Sequence, residues 1–476
     1  MTAPPTQTSL LSLPDELLET IVQCVLTERP KRPAALALTC RRLGRLVRHQ
    51  IFRRIHYEGS ARRGRDSLLQ QAFEVCPSAR NLVRDLLYLP QYNFSTGASV
   101  LVSDPELPYI FFIFPAIRTL DLAFTRSDGL TSFLTGPTTP NDGSLRHLEI
   151  SYEFEREEEN ACMRRAGWWN PLLRFSDLLG LAVVVEPGGE DSGVVAFETA
   201  RLLPLESVRK FTISALMFPT NGLPLSALLP SLEDLTVIMA RCDDEADPCT
   251  RLIRTAPSSL AKLTIVTYSI ASPWTAGFVE ALTDRPTLRH LSLTCVAIDT
   301  YRASQYFSSS SLRALTFTSA CPSDDVDLLR LVSGRTRMKS LEVLRFDYFR
   351  PSGRQGIRYS LADMLASTGP VDLASALESL RSHEGPRWPQ GCTAAGLQRV
   401  VEEAQLHGIR VCGMAVESLD WVALFDDEVE RYLVLRAVEK GDRSLIDEYF
   451  GRDKADEAIE RHSWRFASAS AAAMTS

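Results

Sequence analysis

Three stretches of the chain gather residues that elsewhere bind metals, phosphates or protons. Cys242, Asp243, Asp244, Glu245, Asp247 and Cys249 place two thiols and four carboxylates in one short polar segment. Soft and hard donors mixed in this way match neither the Cys/His set of zinc nor the all-oxygen set of calcium, so the segment reads as a solvated loop. Gly188, Gly189 and Gly193 follow a strand-like run, but the lysine and spacing that cradle a phosphate are missing. The seven histidines never fall in H-x-x-x-H, no G-x-S-x-G elbow occurs, and the ten cysteines contain no C-x-x-C pair. The expectation is a chain with no catalytic residues, no cofactor and no metal, whose thiols are reduced. Its chemistry must lie in recognition.

The elements that would present such a surface come next. The chain has 476 residues, 45% hydrophobic and 23% charged, with a formal net charge of -7, a composition that supports a folded core. Its strongest apolar run, Tyr109 to Ile117, is broken by Pro115 and falls short of the roughly 20 residues a membrane helix needs. Met1 to Ser9 has no basic segment leading into an apolar one, so a cytoplasmic or nuclear location is expected. Nine arginines between Arg41 and Arg65 form a basic stretch, and Glu153 to Glu159 an acidic one. The overall acidity and the few aromatics near those arginines argue against a nucleic-acid partner.

Near the start, Pro14 suits the first turn of a helix, and Ser12 with Asp15 approximates a cap. Leu17, Leu18, Ile21, Val22 and Val25 then make a broad apolar stripe on that helix. Pro30 and Pro33 end it, Ala34 to Val47 reads as a second helix, and Ile51, Phe52 and Ile55 as a third short segment. A unit of this size has a marginal core, so a partner covering leftover apolar surface would stabilise it.

The residues LPDELL (Leu13 to Leu18), Ile21, LALTCRRL (Leu36 to Leu43) and IFRRIH (Ile51 to His56) resemble an F-box. The resemblance implies a three-helix module that binds a Skp-family adaptor and, through it, a cullin scaffold in a ubiquitin ligase. Carried over by position, the implied adaptor contacts are Leu13, Pro14, Leu17, Leu18, Ile21, Leu36, Leu38, Cys40 and Leu43.

Downstream, one pattern recurs nine times: an apolar residue, two variable ones, an apolar one, one variable, another apolar one. It runs through IRTLDL (Ile117 to Leu122), LRHLEI (Leu145 to Ile150), the copy from Leu178, VRKFTI (Val208 to Ile213) and LEDLTV (Leu232 to Val237). LAKLTI (Leu260 to Ile265), LRHLSL (Leu288 to Leu293), LRALTF (Leu312 to Phe317) and LEVLRF (Leu341 to Phe346) continue it, 24 to 33 residues apart. The period of two in each tail predicts a short strand, with helices such as Phe278 to Leu282 and Val326 to Val332 between strands. A weaker first copy is read at Leu82 to Leu87 and a last one at Ile409 to Cys412. The spacing resembles a leucine-rich repeat. The customary asparagine or cysteine after the strand is absent, so an irregular horseshoe is expected.

The expected architecture is therefore an α/β solenoid. Residues 1–9 form a tail, 10–58 the three-helix F-box, and 59–116 a linker with a possible first irregular repeat. Residues 117–415 form the repeat array, 416–462 a helical C-terminal cap and 463–476 a second tail. A protein substrate is expected on the exposed strand positions Thr212, Thr236, Thr264, Ser292, Thr316 and Arg345. Trp168 and Trp169 are expected to add to it as interface anchors, because exposed tryptophans often serve that role. Taken together these features imply a substrate-recognition subunit of a Skp-cullin-F-box ligase. A binding scaffold outside ubiquitination and, more remotely, nucleic-acid binding through residues 41–65 are the alternatives.

Overall fold

The computed structural model describes residues 13–28, 40–57, 73, 75–88, 92–93, 100–101, 107–122, 127–140, 142–153, 165–186, 197–219, 222–239, 242–271, 274–296, 306–307, 310–318, 325–334, 337–347, 357, 360–362, 364, 373–384, 392–417, 419, 421–440, 443–452 and 454–461. The chain divides into two compact units, Met1–Ala261 and Lys262–Ser476.

The first unit opens with α1 (Asp15–Glu28) and α2 (Arg41–Arg53). Leu18, Val22, Leu43, Leu46 and Val47 form a small core between them, with Leu13 and Cys40 packed at its edge. At about 1.5–3 kcal/mol per buried aliphatic side chain, this core alone is marginal. Asp15 ties the helices together, accepting from Arg42 Nε at 2.7 Å and from Arg45 Nη2 at 2.9 Å. Arg42 Nη2 also donates to the Leu13 carbonyl at 2.9 Å. Cys40 caps α2, its Sγ accepting from the Leu43 N–H at 3.4 Å.

The sequence reading errs at the end of this module. Ile51 and Phe52 continue α2, and Ile55 lies in a strand, β1 (Arg54–Tyr57), rather than in a third helix. The reason is visible in the residues: Phe52, Ile55 and Tyr57 have the spacing of the repeat motif itself, and β1 pairs in parallel with β2 (Asp85–Tyr88). The weak copy read at Leu82 to Leu87 is real but shifted by one residue, since Val83, Leu86 and Tyr88 are the buried positions.

The strands that follow are β3 (Thr119–Leu122), β4 (His147–Glu153), β5 (Gly180–Glu186), β6 (Lys210–Ser214) and β7 (Asp234–Met239). Each pairs in parallel with the one before it in chain order, and the first residue of each strand stands opposite the first of the next. Helix α3 (Ser127–Thr135) lies between β3 and β4. Helix α4 (Cys242–Thr255) follows β7, and it replaces the loop expected over Cys242 to Cys249; Cys249 is buried within it.

The second unit repeats the scheme with β8 (Lys262–Ala271), α5 (Ala276–Thr283), β9 (His290–Val296), β10 (Ala314–Thr318), α6 (Asp325–Val332) and β11 (Val343–Asp347). Helices α7 (Leu373–Glu384) and α8 (Ala394–Leu406) precede the last strand, β12 (Arg410–Cys412). These strands also pair in parallel in chain order. Each unit is thus an α/β solenoid-like arrangement. The C-terminal helices α9 (Trp421–Lys440) and α10 (Ser444–Phe450) have a core of their own. That core includes Ile357, Leu361, Leu373 and Leu377, so the helical region reaches back well before residue 416.

All three apolar positions of all nine motif copies are buried, from Ile117, Leu120 and Leu122 to Leu341, Leu344 and Phe346. A repeat buries these faces only by stacking on its neighbours. In place of an asparagine ladder, two other devices satisfy the backbone at the strand entries. A single carbonyl accepts two N–H groups from the next repeat: Arg84 O from Arg118 and Thr119, Arg118 O from Arg146 and His147, Arg313 O from Glu342 and Val343. Beside it, three serines at one register position reach the preceding repeat, Ser144 to Ile117 O, Ser259 to Leu232 O and Ser311 to Leu288 O, at 3.0, 2.8 and 3.1 Å. Buried carbonyls need such partners.

Candidate functional site

Two surfaces are positioned by these elements. The first is the outer side of the helical module. With α1 packed on α2 through Leu18 and Val22, the residues one position before them turn away from that core, Leu17 being 52% exposed and Ile21 half-buried, and Pro14, just before the helix, is exposed. Leu13 and Cys40 are half-buried at the rim of the core. Leu18 and Leu43, both expected as partner contacts, instead lie inside the module and hold its two helices together. The cause is geometric, since a stripe five residues wide on a helix cannot face α2 and an outside partner at once. Leu36 and Leu38 lie outside the described residues.

The second surface is the side of the strands not occupied by the motif core. In the first unit two register rows cross it. One runs Asp85, Thr119, His147, Gly180, Lys210, Asp234; the other, two residues further along each strand, runs Leu87, Asp121, Glu149, Ala182, Thr212, Thr236. Asp121 and Glu149 thus sit opposite each other on adjacent strands, about 5 Å apart in the backbone. Partial burial raises the Asp121 carboxyl to about 6, and the neighbouring Glu149 carboxylate adds to the shift. Glu149 is itself raised by desolvation against the sheet.

His147 lies over Gly180 on the next strand: a Cβ built at Gly180 would come within 2.5 Å of His147 Nδ1. Glycine there leaves room for the imidazole. Burial, then Lys210 and Arg146, hold the ring below its ordinary titration range, while Asp85 opposes them. The surface thus holds a carboxyl raised toward neutrality at Asp121 and offers both hydrogen-bond donors and acceptors. Asp85, His147 and Lys210 were missed at the sequence level. They stand two residues before the position singled out in each motif, and the same period of two would have put them on the same face.

In the second unit the corresponding row is Thr264, Ser292, Thr316, Arg345 and Cys412. The three hydroxyl residues are half-buried and Arg345 is exposed, with its guanidinium paired to Asp347. The expected row positions Thr212 and Thr236 are thus brought together in one unit, and Thr264, Ser292, Thr316 and Arg345 in the other.

Trp168 and Trp169 are not on either surface. Trp169 is fully buried and Trp168 is 5% exposed. They pack on each other and on Phe197, and the Trp169 indole N–H donates to the Leu203 carbonyl at 3.0 Å. An aromatic pair of this size is worth more inside a small core than on its rim, which corrects the expectation of exposed anchors. Among the described residues no group of three or more His, Cys, Asp or Glu side chains could hold a metal ion, and no helix is long and apolar enough to cross a membrane.

The chain matches no protein-family model and no curated protein. Among solved structures it is similar to a protein of Bacteroides fragilis, at 17% identity and a TM-score of 0.28, over 45% of this chain and 62% of that one. The chain thus spans less than two thirds of that structure's length, and a likeness at this level carries no argument about fold or function.

Proposed function

We propose that this chain is the substrate-recognition subunit of a Skp-cullin-F-box ubiquitin ligase. In this reading α1 and α2 dock a Skp-family adaptor, and the open strand faces hold a protein substrate. The observation that carries the reading is the split of the α1 stripe. Leu18 and Val22 close the module, while Leu17 stands 52% exposed next to exposed Pro14, a pattern that suits a second polypeptide. The F-box resemblance of the same residues names the kind of polypeptide. Helix α2 passes directly into β1, with Arg54 as both the helix C-cap and the first strand residue. A partner held on α2 would therefore be fixed relative to the first strand face. Catalysis then belongs to other subunits, and the receptor acts by raising the effective concentration of substrate.

The test is co-purification of the full chain with a Skp-family adaptor, comparing wild type with Leu17→Asp. Adaptor recovery that falls at least tenfold in a variant of unchanged helicity supports the reading. Equal recovery from both chains contradicts it. Adaptor binding without any change in substrate turnover when the protein is depleted would favour the scaffold alternative.

A further inference from the structure

In the first unit the backbone links one register position into a continuous row along the edge where the chain enters the strands. Arg84 N donates to Arg53 O, Arg118 N to Arg84 O, Arg146 N to Arg118 O, Leu179 N to Arg146 O and Arg209 N to Leu179 O, each at 2.7 or 2.8 Å. Every member directly precedes a strand, from β1 to β6, so the row steps by the strand spacing of about 4.8 Å. Its first four members are all arginine, in a chain whose formal net charge is -7.

Elsewhere an arginine at this position finds a partner within the fold. Arg84 Nη1 donates to the Ala116 carbonyl at 2.8 Å, and Arg209 pairs with Glu233. In the second unit Arg289 donates to the Pro286 and Ser311 carbonyls at 3.0 and 3.2 Å, and Arg313 lies 3.5 Å from Glu342. Arg53, Arg118 and Arg146 depart from this. All three are exposed, and among the described residues none has a hydrogen-bond or carboxylate partner for its guanidinium. Like charges on neighbouring strands repel one another, so the row favours an anion from outside.

The surroundings restrict which anion fits. Asp85, Asp121 and Glu149 stand on the strand face beside the row, which opposes an anion spread across that face and favours one kept to the edge. From β1 to β6, neither this register position nor the next holds a Phe, Tyr or Trp, the stacking platforms of single-stranded nucleic-acid sites. Arg53 to Arg146 covers about 14 Å, the distance from the first to the fifth residue of an extended segment, whose alternate side chains share one side.

We propose that this arginine row binds an acidic segment of a protein partner, an extended stretch with Asp or Glu at alternate positions. Its carboxylates meet the guanidinia of Arg53, Arg118 and Arg146, each of which offers a planar fork matched to a carboxylate. No internal bond of these three side chains has to break first. The site goes beyond the adaptor-docking reading and does not depend on it, since α1 takes no part.

The experiment uses the full chain and three probes carrying an uncharged fluorophore: a heptapeptide with glutamate at three alternate positions, the same peptide with glutamine there, and a heptamer of thymidylate. Binding is read by anisotropy, and the location by phenylglyoxal labelling of arginines followed by mass spectrometry. The expected result is that Arg118→Ser with Arg146→Ser weakens the glutamate peptide at least tenfold with an unchanged circular dichroism spectrum. Glutamine should weaken it as much, while Arg313→Ser leaves it unchanged. The glutamate peptide should also protect Arg118 and Arg146 of the wild-type chain from labelling but not Arg313. No binding of the glutamate peptide, equal affinity for the double variant, equal affinity of the glutamine peptide, or unprotected Arg118 and Arg146 would each overturn the proposal. Thymidylate binding as tightly as the glutamate peptide would overturn the choice of a polypeptide. Leu17→Asp should leave all of these readings untouched, so failure here and failure of the adaptor reading can be told apart.

Discussion

Replacing Asp121 with asparagine should stabilise the first unit at neutral pH and do nothing at pH 4. The carboxyl is raised from an ordinary 3.8 to about 6 by burial and by Glu149 across the strand pair. A carboxylate whose folded-state value is raised contributes stability that is full below its unfolded value and lost as pH rises through the folded one. Wild type should therefore weaken between about pH 4 and pH 6, because the ionised side chain is the one the fold resists. A displacement of about two pH units at about 1.4 kcal/mol each sets a ceiling of about 3 kcal/mol. Asp121 keeps partial contact with water, and screening reduces that to about 1 kcal/mol. Asparagine keeps the shape without the charge, so its curve should be flat across this window. Urea unfolding at pH 4, 5, 6 and 7.5, with hydrogen exchange read on peptides covering β3 and β4, measures the difference. A variant less stable than wild type at pH 7.5, or one whose gain persists at pH 4, would refute the reasoning.

Other consequences follow from single contacts. Gly180→Ala drives a Cβ into His147 Nδ1; the ring must swing away, costing about 1 kcal/mol of unfolding free energy in a urea titration, and the His147 titration followed by NMR should move toward the ordinary histidine value. Trp169→Ala empties a fully buried site and breaks the bond to Leu203 O, so a loss of about 3–5 kcal/mol is expected and thermal melting should show the first unit unfolding early. Ser259→Ala leaves the Leu232 carbonyl without its side-chain donor; about 1 kcal/mol should be lost, read as faster exchange near β7. Gly396→Ala would drive a Cβ into the Asp325 carboxyl, which accepts from Thr393 N and Oγ1 at 3.0 and 2.9 Å. The α8 start should detach from α6, which circular dichroism during melting would report as a separate early transition.

Much of the scaffold was legible because it is periodic. Every apolar residue of the nine motif copies points inward, and the helices read at Phe278 to Leu282 and Val326 to Val332 fall within α5 and α6. The misreadings share a physical cause, which is that one residue pattern can serve two neighbours. Phe52, Ile55 and Tyr57 fit a helical module by position and a repeat strand by period, and pairing with β2 decided it. Leu18 and Leu17 belong to one stripe in sequence, and only the packing of α2 separates the inward residue from the outward one. Trp168 and Trp169 occupy no position of the repeat motif and were expected as exposed anchors, but Phe197, nearly thirty residues on, completes a core around them. The Asp121–Glu149 pairing and the seat of His147 over Gly180 depend on which strands are neighbours, and local sequence does not contain that.

The most direct measurement of the central claim is the affinity of the full chain for a Skp-family adaptor, by calorimetry, for wild type, Leu17→Asp and Leu18→Asp. Leu17 faces outward, so its variant should stay folded and lose at least tenfold in affinity, whereas the Leu18 variant should lose the module's helicity along with binding. An adaptor that binds wild type and the folded Leu17 variant equally well, or that binds neither, would contradict the account.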